Sequence, residues 1–253
     1  MKHDFIDKYS NINSLVHRLD PRIKIIVSLA AIIIIVSEPM NSKPWHFIYY
    51  FIMLAFACLC SKLPVYYIIK RILVVMPFIL MAALFYPFSV YFNGSEERVL
   101  FDYQQSQILF ATISIFSKAF LAVLILVLLT STEKFRRLLL AMRKLRMPVI
   151  VGKLSAILYR YIFVLSDEYL RTTRARQSRS PGKIKTGRLK IYGNQAAMIF
   201  LRSWERSQVI YKSMLSRGYS GEYPGIHKLD LRIIDIIFAL IFIFSLSAIR
   251  IWF

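Results

Sequence analysis

The sequence is poor in the residue types that define several classes of protein. It contains only two cysteines, eight glycines and nine prolines among 253 residues. Cys58 and Cys60 both lie inside one apolar run, so they do not form the framework of a disulfide-stapled extracellular scaffold. The scarcity of glycine and proline likewise excludes a collagen-like chain.

Acidic residues are also scarce, with 14 Asp and Glu against 34 Lys and Arg and a formal net charge of +20. Hydrophobic residues nevertheless make up 57% of the chain, and the mean hydropathy is +0.52. This composition excludes a disordered chain and is not that of an ordinary soluble domain. A chain that is both so apolar and so basic has to separate the two properties along its length, which favours an integral membrane protein.

Five apolar stretches approach the 17 to 25 residues, roughly, that a transmembrane helix needs. They are Ile23–Val36, Trp45–Leu59, Ile72–Phe92, Ile108–Leu129 and Ile233–Phe253. The first is short and reaches the length of a span only with its flanks, and the third contains Pro77 and Pro87, which predict a kink. No cleavable signal peptide is evident, so the first span is expected to stay in the mature protein.

Most of the positive charge lies between the fourth and fifth expected spans. Residues 131–232 hold 22 Lys and Arg against six Asp and Glu, which is +16 of the total of +20. Because basic loops stay in the cytoplasm, we expect this segment and the N-terminus to be cytoplasmic. The expected organisation is a membrane domain over 1–130, a cytoplasmic coupling domain over 131–232 and a C-terminal transmembrane helix over 233–253.

The basic segment has a helical pattern of apolar residues. Three helices are expected: Glu133–Arg146 with Thr132 as its N-cap, about Val149 to about Arg179, and about Leu189 to Arg217. Ser180-Pro181-Gly182 breaks the second helix, and Gly218 suits the C′ position of the third. Strand-like alternation of useful length is absent from the sequence. The predicted fold is therefore an all-α integral membrane protein, with about five transmembrane helices and a cytoplasmic region of long helices.

The second and third of these helices end in similar triplets. One is Ala175-Arg176-Gln177 and the other is Ser216-Arg217-Gly218, so that each arginine follows a small residue. An arginine at a helix C-terminus also complements the helix dipole by about 0.3–1 kcal/mol, which is a purely structural explanation. The functional alternative is that two arginines on adjacent helix tips fit two acidic grooves of a dimeric or pseudo-dimeric partner, since the guanidinium fork binds carboxylates in a bidentate manner.

Several segments together carry a resemblance to a known family. They are Ile6-Asp7-Lys8-Tyr9, His17-Arg18-Leu19-Asp20-Pro21-Arg22-Ile23-Lys24, Arg174-Ala175-Arg176-Gln177, Arg202-Ser203-Trp204-Glu205-Arg206-Ser207 and Tyr211-Lys212-Ser213-Met214-Leu215-Ser216-Arg217-Gly218-Tyr219. In these segments the sequence resembles the transmembrane T component of energy-coupling factor (ECF) transporters, most closely the cobalt-type Q component. The resemblance covers essentially the whole chain.

The resemblance implies a non-catalytic scaffold in a prokaryotic cell (inner) membrane. Such a component joins a membrane substrate-binding component to two cytoplasmic ABC-type ATPases, which bind the ATP and Mg²⁺, and the chain itself holds no cofactor. Its long coupling helices end in Ala-Arg-Gly-like motifs that dock in ATPase grooves. Arg176 and Arg217 correspond to the motif arginines, whereas Gln177 and Ser216 depart from the triplet. The implied cargo is cobalt, with nickel as the next choice.

Other polar residues have less specific explanations. His3 and Asp4 do not combine with the scattered His17, His46 and His227 into a four-ligand metal site. Gly182-Lys183 lacks the frame of a phosphate-binding loop. For the intramembrane Lys118 and for Asp235, pairing between helices and a transport role both remain open.

Three other classes of function are alternatives to a coupling subunit. The first alternative is a self-contained secondary transporter, although no internal repeat is visible in the sequence. A membrane-embedded transferase would need a cluster of carboxylates, and Asp167-Glu168 is the only adjacent pair in the basic segment. A nucleic-acid binder would account for the positive charge but not for the apolar spans. We therefore expect the lipid bilayer and protein subunits as partners, and no nucleic acid.

Overall fold

The computed structural model describes residues 14–39, 44–93, 101–179, 187–220 and 232–252. These ranges contain helices and short connections and no strand, which confirms the predicted all-α class. The helices are α1 (Leu15–Arg18), α2 (Pro21–Val36), α3 (Pro44–Ser61), α4 (Val65–Asn93), α5 (Phe101–Thr132), α6 (Phe135–Lys144), α7 (Val149–Arg179), α8 (Arg188–Ser216) and α9 (Ile233–Trp252). Contacts divide the chain into two units, residues 1–145 with 229–253 and residues 146–228.

The first unit is organised around α5, which packs against α2, α3 and α4, while α2 also contacts α6 and α9. The centre of this unit is formed by buried apolar side chains from α2, α3, α4, α5 and α9, among them Ile35, Tyr50, Leu54, Leu121 and Leu246. Large apolar side chains on the outer faces of the same helices are exposed, such as Ile33, Phe56, Leu73, Phe78 and Leu240. An apolar exterior of this extent is expected where lipid, not water, surrounds the helices.

Three described helices are long and apolar enough to cross a bilayer, over Val65–Phe88, Ile108–Thr132 and Val149–Arg179. The first two contain most of the third and fourth expected spans. Two further apolar stretches, Trp45–Ser61 and Ile233–Ala248, are shorter. Val149–Arg179 meets the same criterion, because its apolar residues are concentrated before the arginines of its last turns. This helix was expected in the cytoplasm. The total of five spans stays a prediction.

Several boundaries differ from those expected. Helix α4 begins at Val65 and α5 begins at Phe101, so residues that were expected in loops extend these helices beyond their apolar stretches. Pro77 and Pro87 both lie inside the continuous α4. The prediction that Thr132 is an N-cap is wrong, since its hydroxyl donates back to the carbonyl of Leu128 at 2.8 Å in the last turn of α5.

The second unit contains α7 and α8. The expected bounds of both helices are confirmed to within one residue, at Val149–Arg179 and Arg188–Ser216. Gly187 precedes α8 with a positive φ of 75°, a backbone conformation that favours glycine. The Ser180-Pro181-Gly182 break lies outside the described residues. Apart from α6, which packs against α2 in the first unit, the described helices of the basic segment form this pair.

Candidate functional site

Polar contacts fix the relative direction of α7 and α8. The amide nitrogen of Gln195 donates to the hydroxyl of Thr173 at 2.8 Å, and the guanidinium of Arg202 pairs with the carboxylate of Glu168. Residues further along α8 thus contact residues earlier in α7. The two helices are therefore antiparallel, as expected for long helices joined by a short link.

The predicted triplet of α7 lies in the last turns of that helix. Ala175 and Gln177 are exposed, whereas Arg176 is half-buried. The guanidinium carbon of Arg176 lies over the ring of Tyr192 in α8, 5.1 Å from the ring centroid. Its Nε atom is buried and has no hydrogen-bond partner among the described residues. This end of α7 is therefore held against α8 by an aromatic contact.

The predicted triplet of α8 forms the end of that helix and its cap. The backbone N–H of Gly218 donates to the carbonyl of Leu215, and that of Tyr219 donates to the carbonyl of Met214, both at 3.0 Å. With a φ of +74° at Gly218, these two bonds form a Schellman motif, and the predicted C′ role of Gly218 is confirmed. Ser216 and Arg217 are exposed, and the hydroxyl of Ser216 donates to the carbonyl of Lys212 at 3.0 Å.

The expectation that the two arginines occupy adjacent helix tips is wrong. Arg176 lies beside Tyr192, near the start of α8, whereas Arg217 follows the last residue of α8. The 25 residues that separate Tyr192 from Arg217 correspond to about 37 Å of helix. Because α7 and α8 are antiparallel, their C-terminal ends lie at opposite ends of the pair.

Sequence reasoning did not single out Tyr192. The sequence contained one signal for it, because positions 176 and 192 are nearly equally far from the middle of the link between α7 and α8. In an antiparallel pair, such mirrored positions face each other. Tyr192 and Gln195 are three residues apart and share one face of α8, and both contact α7 through that face.

The predicted end of α7 is rich in positive charge, and the predicted end of α8 presents one exposed arginine. Residues 171–179 contain four arginines and no acidic residue. Arg217 is exposed, and the structure records no ion pair between it and any described residue. Exposed guanidinium groups in such surroundings are suited to an acidic protein surface.

The remaining polar residues mostly form structural contacts. The ammonium of Lys118 donates to the backbone carbonyls of Glu38 and of Val36 (3.4 Å), which is a pairing between helices, and Asp235 is buried at the start of α9. Cys58 and Cys60 are half-buried and unpaired. In the described ranges, no three His, Cys, Asp or Glu side chains are grouped so that they could hold a metal ion. His3, Asp4, His227 and Gly182-Lys183 lie outside those ranges.

The apolar exterior of the first unit, together with helices long and apolar enough to cross a bilayer, defines an all-α membrane protein. Residues 12–228 match the family model CbiQ, described as cobalt transport protein. The chain belongs to this family and is a membrane component of an ECF-type transporter. The predicted resemblance is thereby confirmed.

Curated relatives are similar over most of their length. Two uncharacterized proteins of Methanocaldococcus jannaschii are each 27% identical to the chain, one over 242 residues (93% of this chain and 82% of the relative) and the other over 240 residues (91% and 86%). The energy-coupling factor transporter transmembrane protein EcfT of Staphylococcus aureus is 26% identical over 234 residues, which cover 85% of this chain and 83% of that protein.

Proposed function

We propose that this chain is the scaffold and coupling subunit of an ECF-type importer. In this proposal it transmits the ATP-driven motion of two cytoplasmic ABC-type ATPases to a substrate-binding membrane subunit, for the uptake of cobalt or, alternatively, of nickel. Residues 131–232 and the N-terminus lie in the cytoplasm of a multi-pass protein. ATP and Mg²⁺ bind to the ATPases and not to this chain. The observation that carries the proposal is a pair of long helices with Arg176 in the last turns of one and Arg217 directly after the end of the other, in a member of this transporter family.

The chemistry of the helix ends favours acidic partner grooves. A guanidinium presents its donors in a planar fork that binds a carboxylate in a bidentate manner. The exposed arginines near both ends attract an acidic surface at long range. The proposed contacts are Ala175, Arg176 and Gln177 for one ATPase, and Ser216, Arg217 and Gly218 for the other.

The antiparallel arrangement favours two separate binding sites. About 37 Å of helix between Tyr192 and Arg217 exceeds the roughly 30 Å diameter of a small domain. One groove or one small domain therefore does not reach both arginines, whereas two ATPase subunits reach one each. This supports a two-subunit motor as the partner.

Transmission of force requires stiff helices and a partner with two states. The contacts of Gln195 and Arg202 with α7 join α7 and α8 over about two turns, so a displacement of one end moves the pair. A partner drives such a displacement only if its two states bind the arginine ends differently. Nucleotide-dependent closure of paired ATPases supplies two states of this kind.

Affinity purification and uptake of radiolabelled cobalt test the proposal together. The tagged chain is purified from membranes in mild detergent, and its companions are identified by mass spectrometry. We expect two ATPase subunits and one membrane subunit with the unaltered chain. The double variant Arg176→Ala, Arg217→Ala is expected to lose the ATPases and the uptake while remaining in the membrane.

The matched control is the double variant Arg160→Ala, Arg206→Ala, which removes two exposed arginines from the same helices away from their ends. This control is expected to retain the ATPases and most of the uptake. Normal uptake in the Arg176→Ala, Arg217→Ala variant would refute coupling through these ends. If no ATPase accompanied the chain either, a self-contained secondary transporter would be favoured instead.

A further inference from the structure

The two arginine ends have different surroundings in the second unit. Arg217 is exposed after the last turn of α8, with no recorded ion pair to a described residue. Arg176 is half-buried, and its guanidinium lies over the ring of Tyr192. Two ends that correspond to the same family motif are thus built differently, and within the described part of the chain the difference is the aromatic ring.

The contact between Arg176 and Tyr192 belongs to an ordered row of contacts between α7 and α8. Gln195, one turn after Tyr192, donates to Thr173 at 2.8 Å and to Thr172 at 3.3 Å. These bonds fix the register of α8 against α7, so the ring is held in place by the helix pair. Tyr192 itself is about half exposed, at 49%, which places it at the border between the helix pair and solvent.

A ring over a guanidinium restrains it without consuming its donors. The attraction acts through the face of the ring, and the N–H donors of arginine lie in the plane of its own group. No hydrogen bond or ion pair between the guanidinium of Arg176 and a described residue is recorded, so its terminal N–H donors are left for a partner, while its Nε is buried. An unrestrained arginine loses rotamer freedom when it binds, at a cost of about 0.5–1.5 kcal/mol for a side chain of this type.

We infer that Tyr192 is a positioning residue for Arg176, which holds the guanidinium ready for a carboxylate of the ATPase that binds the end of α7. This inference rests on the proposed function, since it gives Arg176 that partner. Part of the ordering entropy of Arg176 is lost when the chain folds, before the ATPase binds. Among the described residues no ring restrains Arg217, so in this proposal the two ATPase contacts are unequal, and the one at α7 depends on an aromatic ring.

A double-mutant cycle on the full chain tests the inference. The chain is co-expressed with the ATPases that purify with it, and the rate at which they dissociate from the immobilised complex is measured in mild detergent. Tyr192→Leu removes the ring and is expected to speed dissociation about two- to fivefold. Tyr192→Phe keeps the ring and is expected to dissociate at the rate of the unaltered chain.

The same substitution in two backgrounds separates positioning from folding. In Arg217→Ala, where the α7 end is the remaining arginine contact, Tyr192→Leu is expected to speed dissociation at least as much as in the unaltered chain. In Arg176→Ala, it is expected to cause no further change, because the residue on which it acts is gone. A merely structural effect of Tyr192 on the helix pair would appear in both backgrounds.

The outcomes distinguish this inference from the proposed function. If Arg176→Ala speeds dissociation but Tyr192→Leu does not, the inference is overturned and the proposed function stands. An additive effect of Tyr192→Leu in Arg176→Ala, or a Tyr192→Phe variant as fast as Tyr192→Leu, also overturns the inference alone. If Arg176→Ala leaves the dissociation rate unchanged, the proposed coupling role of Arg176 fails, and the inference fails with it.

Discussion

The ammonium of Lys24 donates a hydrogen bond to the carboxylate of Glu133 across 109 residues of sequence. The contact joins the first turn of α2 to the connection between α5 and α6. Both side chains are buried, with 7% and 1% of their surface exposed, and Arg137 approaches the second carboxylate oxygen at 3.8 Å. An ion pair in this position fixes the point at which the chain passes from the apolar helices to the basic segment.

Removing one partner of this buried pair is expected to destabilise the protein strongly. Glu133→Ala leaves the ammonium of Lys24 buried without its carboxylate, which costs about 3–5 kcal/mol in comparable pairs. The free energy of unfolding of the purified protein in detergent, measured by denaturant titration, is expected to fall by this amount.

Two further variants serve as comparisons for this prediction. Replacing both partners, Lys24→Met with Glu133→Leu, removes the two charges together and should restore much of the loss. Arg137→Ala should cost less than about 1 kcal/mol, because its side chain is 54% exposed. Equal losses in Glu133→Ala and Arg137→Ala would show that burial of the pair has no special importance.

A second buried carboxylate depends on a tyrosine hydroxyl. Tyr50 in α3 is fully buried, and its hydroxyl donates to the carboxylate of Glu38 at 2.6 Å, just beyond the end of α2. Hydrogen bonds to charged groups contribute about 1.5–3 kcal/mol, so Tyr50→Phe is expected to lower the free energy of unfolding by that amount. The neighbouring Tyr49→Phe is the control, since its hydroxyl makes a longer bond of 3.3 Å to the carbonyl of Ser245. A loss in Tyr49→Phe as large as in Tyr50→Phe would contradict the importance of the charged acceptor.

Alanine is expected to have opposite effects on local stability at Gly193, which lies inside α8, and at Gly218, which caps its C-terminal end. A methyl group at Gly218 meets no atom within 4 Å, but the φ of +74° there disfavours any L-residue by about 1–2 kcal/mol. Gly218→Ala should therefore open the cap and speed amide hydrogen exchange at 218 and 219 about 5- to 30-fold. Gly193 lies inside α8 with open space around it, so Gly193→Ala should slow local exchange, since alanine favours a helix by about 0.5–1 kcal/mol. Exchange that does not change at the cap of Gly218→Ala would refute the role of the left-handed conformation.

Cross-linking is expected to report the antiparallel pairing of α7 and α8. In a background with Cys58→Ser and Cys60→Ser, the pair Thr173→Cys, Gln195→Cys should be joined by a short bifunctional maleimide, because these side chains are in contact. The pair Gln177→Cys, Ser216→Cys should not be joined within one chain, since its members lie at opposite ends of the helix pair. Efficient cross-linking of the second pair and not the first would support adjacent tips.

The sequence by itself determined the class of the protein, the identity of its long helices and the positions of the two arginine motifs. Hydropathy and charge depend only on composition, so they determine the class of the protein. Helical periodicity and caps depend on neighbouring residues, so α7, α8 and the C′ glycine at Gly218 could be predicted closely. The first turns of α4 and α5 were missed because a helix does not have to end where its apolar residues end. Thr132 was misassigned because the same hydroxyl serves as an N-cap or bonds back within a helix, and the residues around it decide which.

Only the tertiary structure decided how these helices meet. Pairs such as Lys24 with Glu133, and Glu38 with Tyr50, depend on which faces of distant segments pack together, and no local pattern contains that information. The same holds for the two arginines, which are equivalent as motifs in the sequence. Antiparallel packing separates them along α8 and gives Arg176 an aromatic neighbour that Arg217 lacks among the described residues. Contacts across two helices depend on direction and register as well as on residue type.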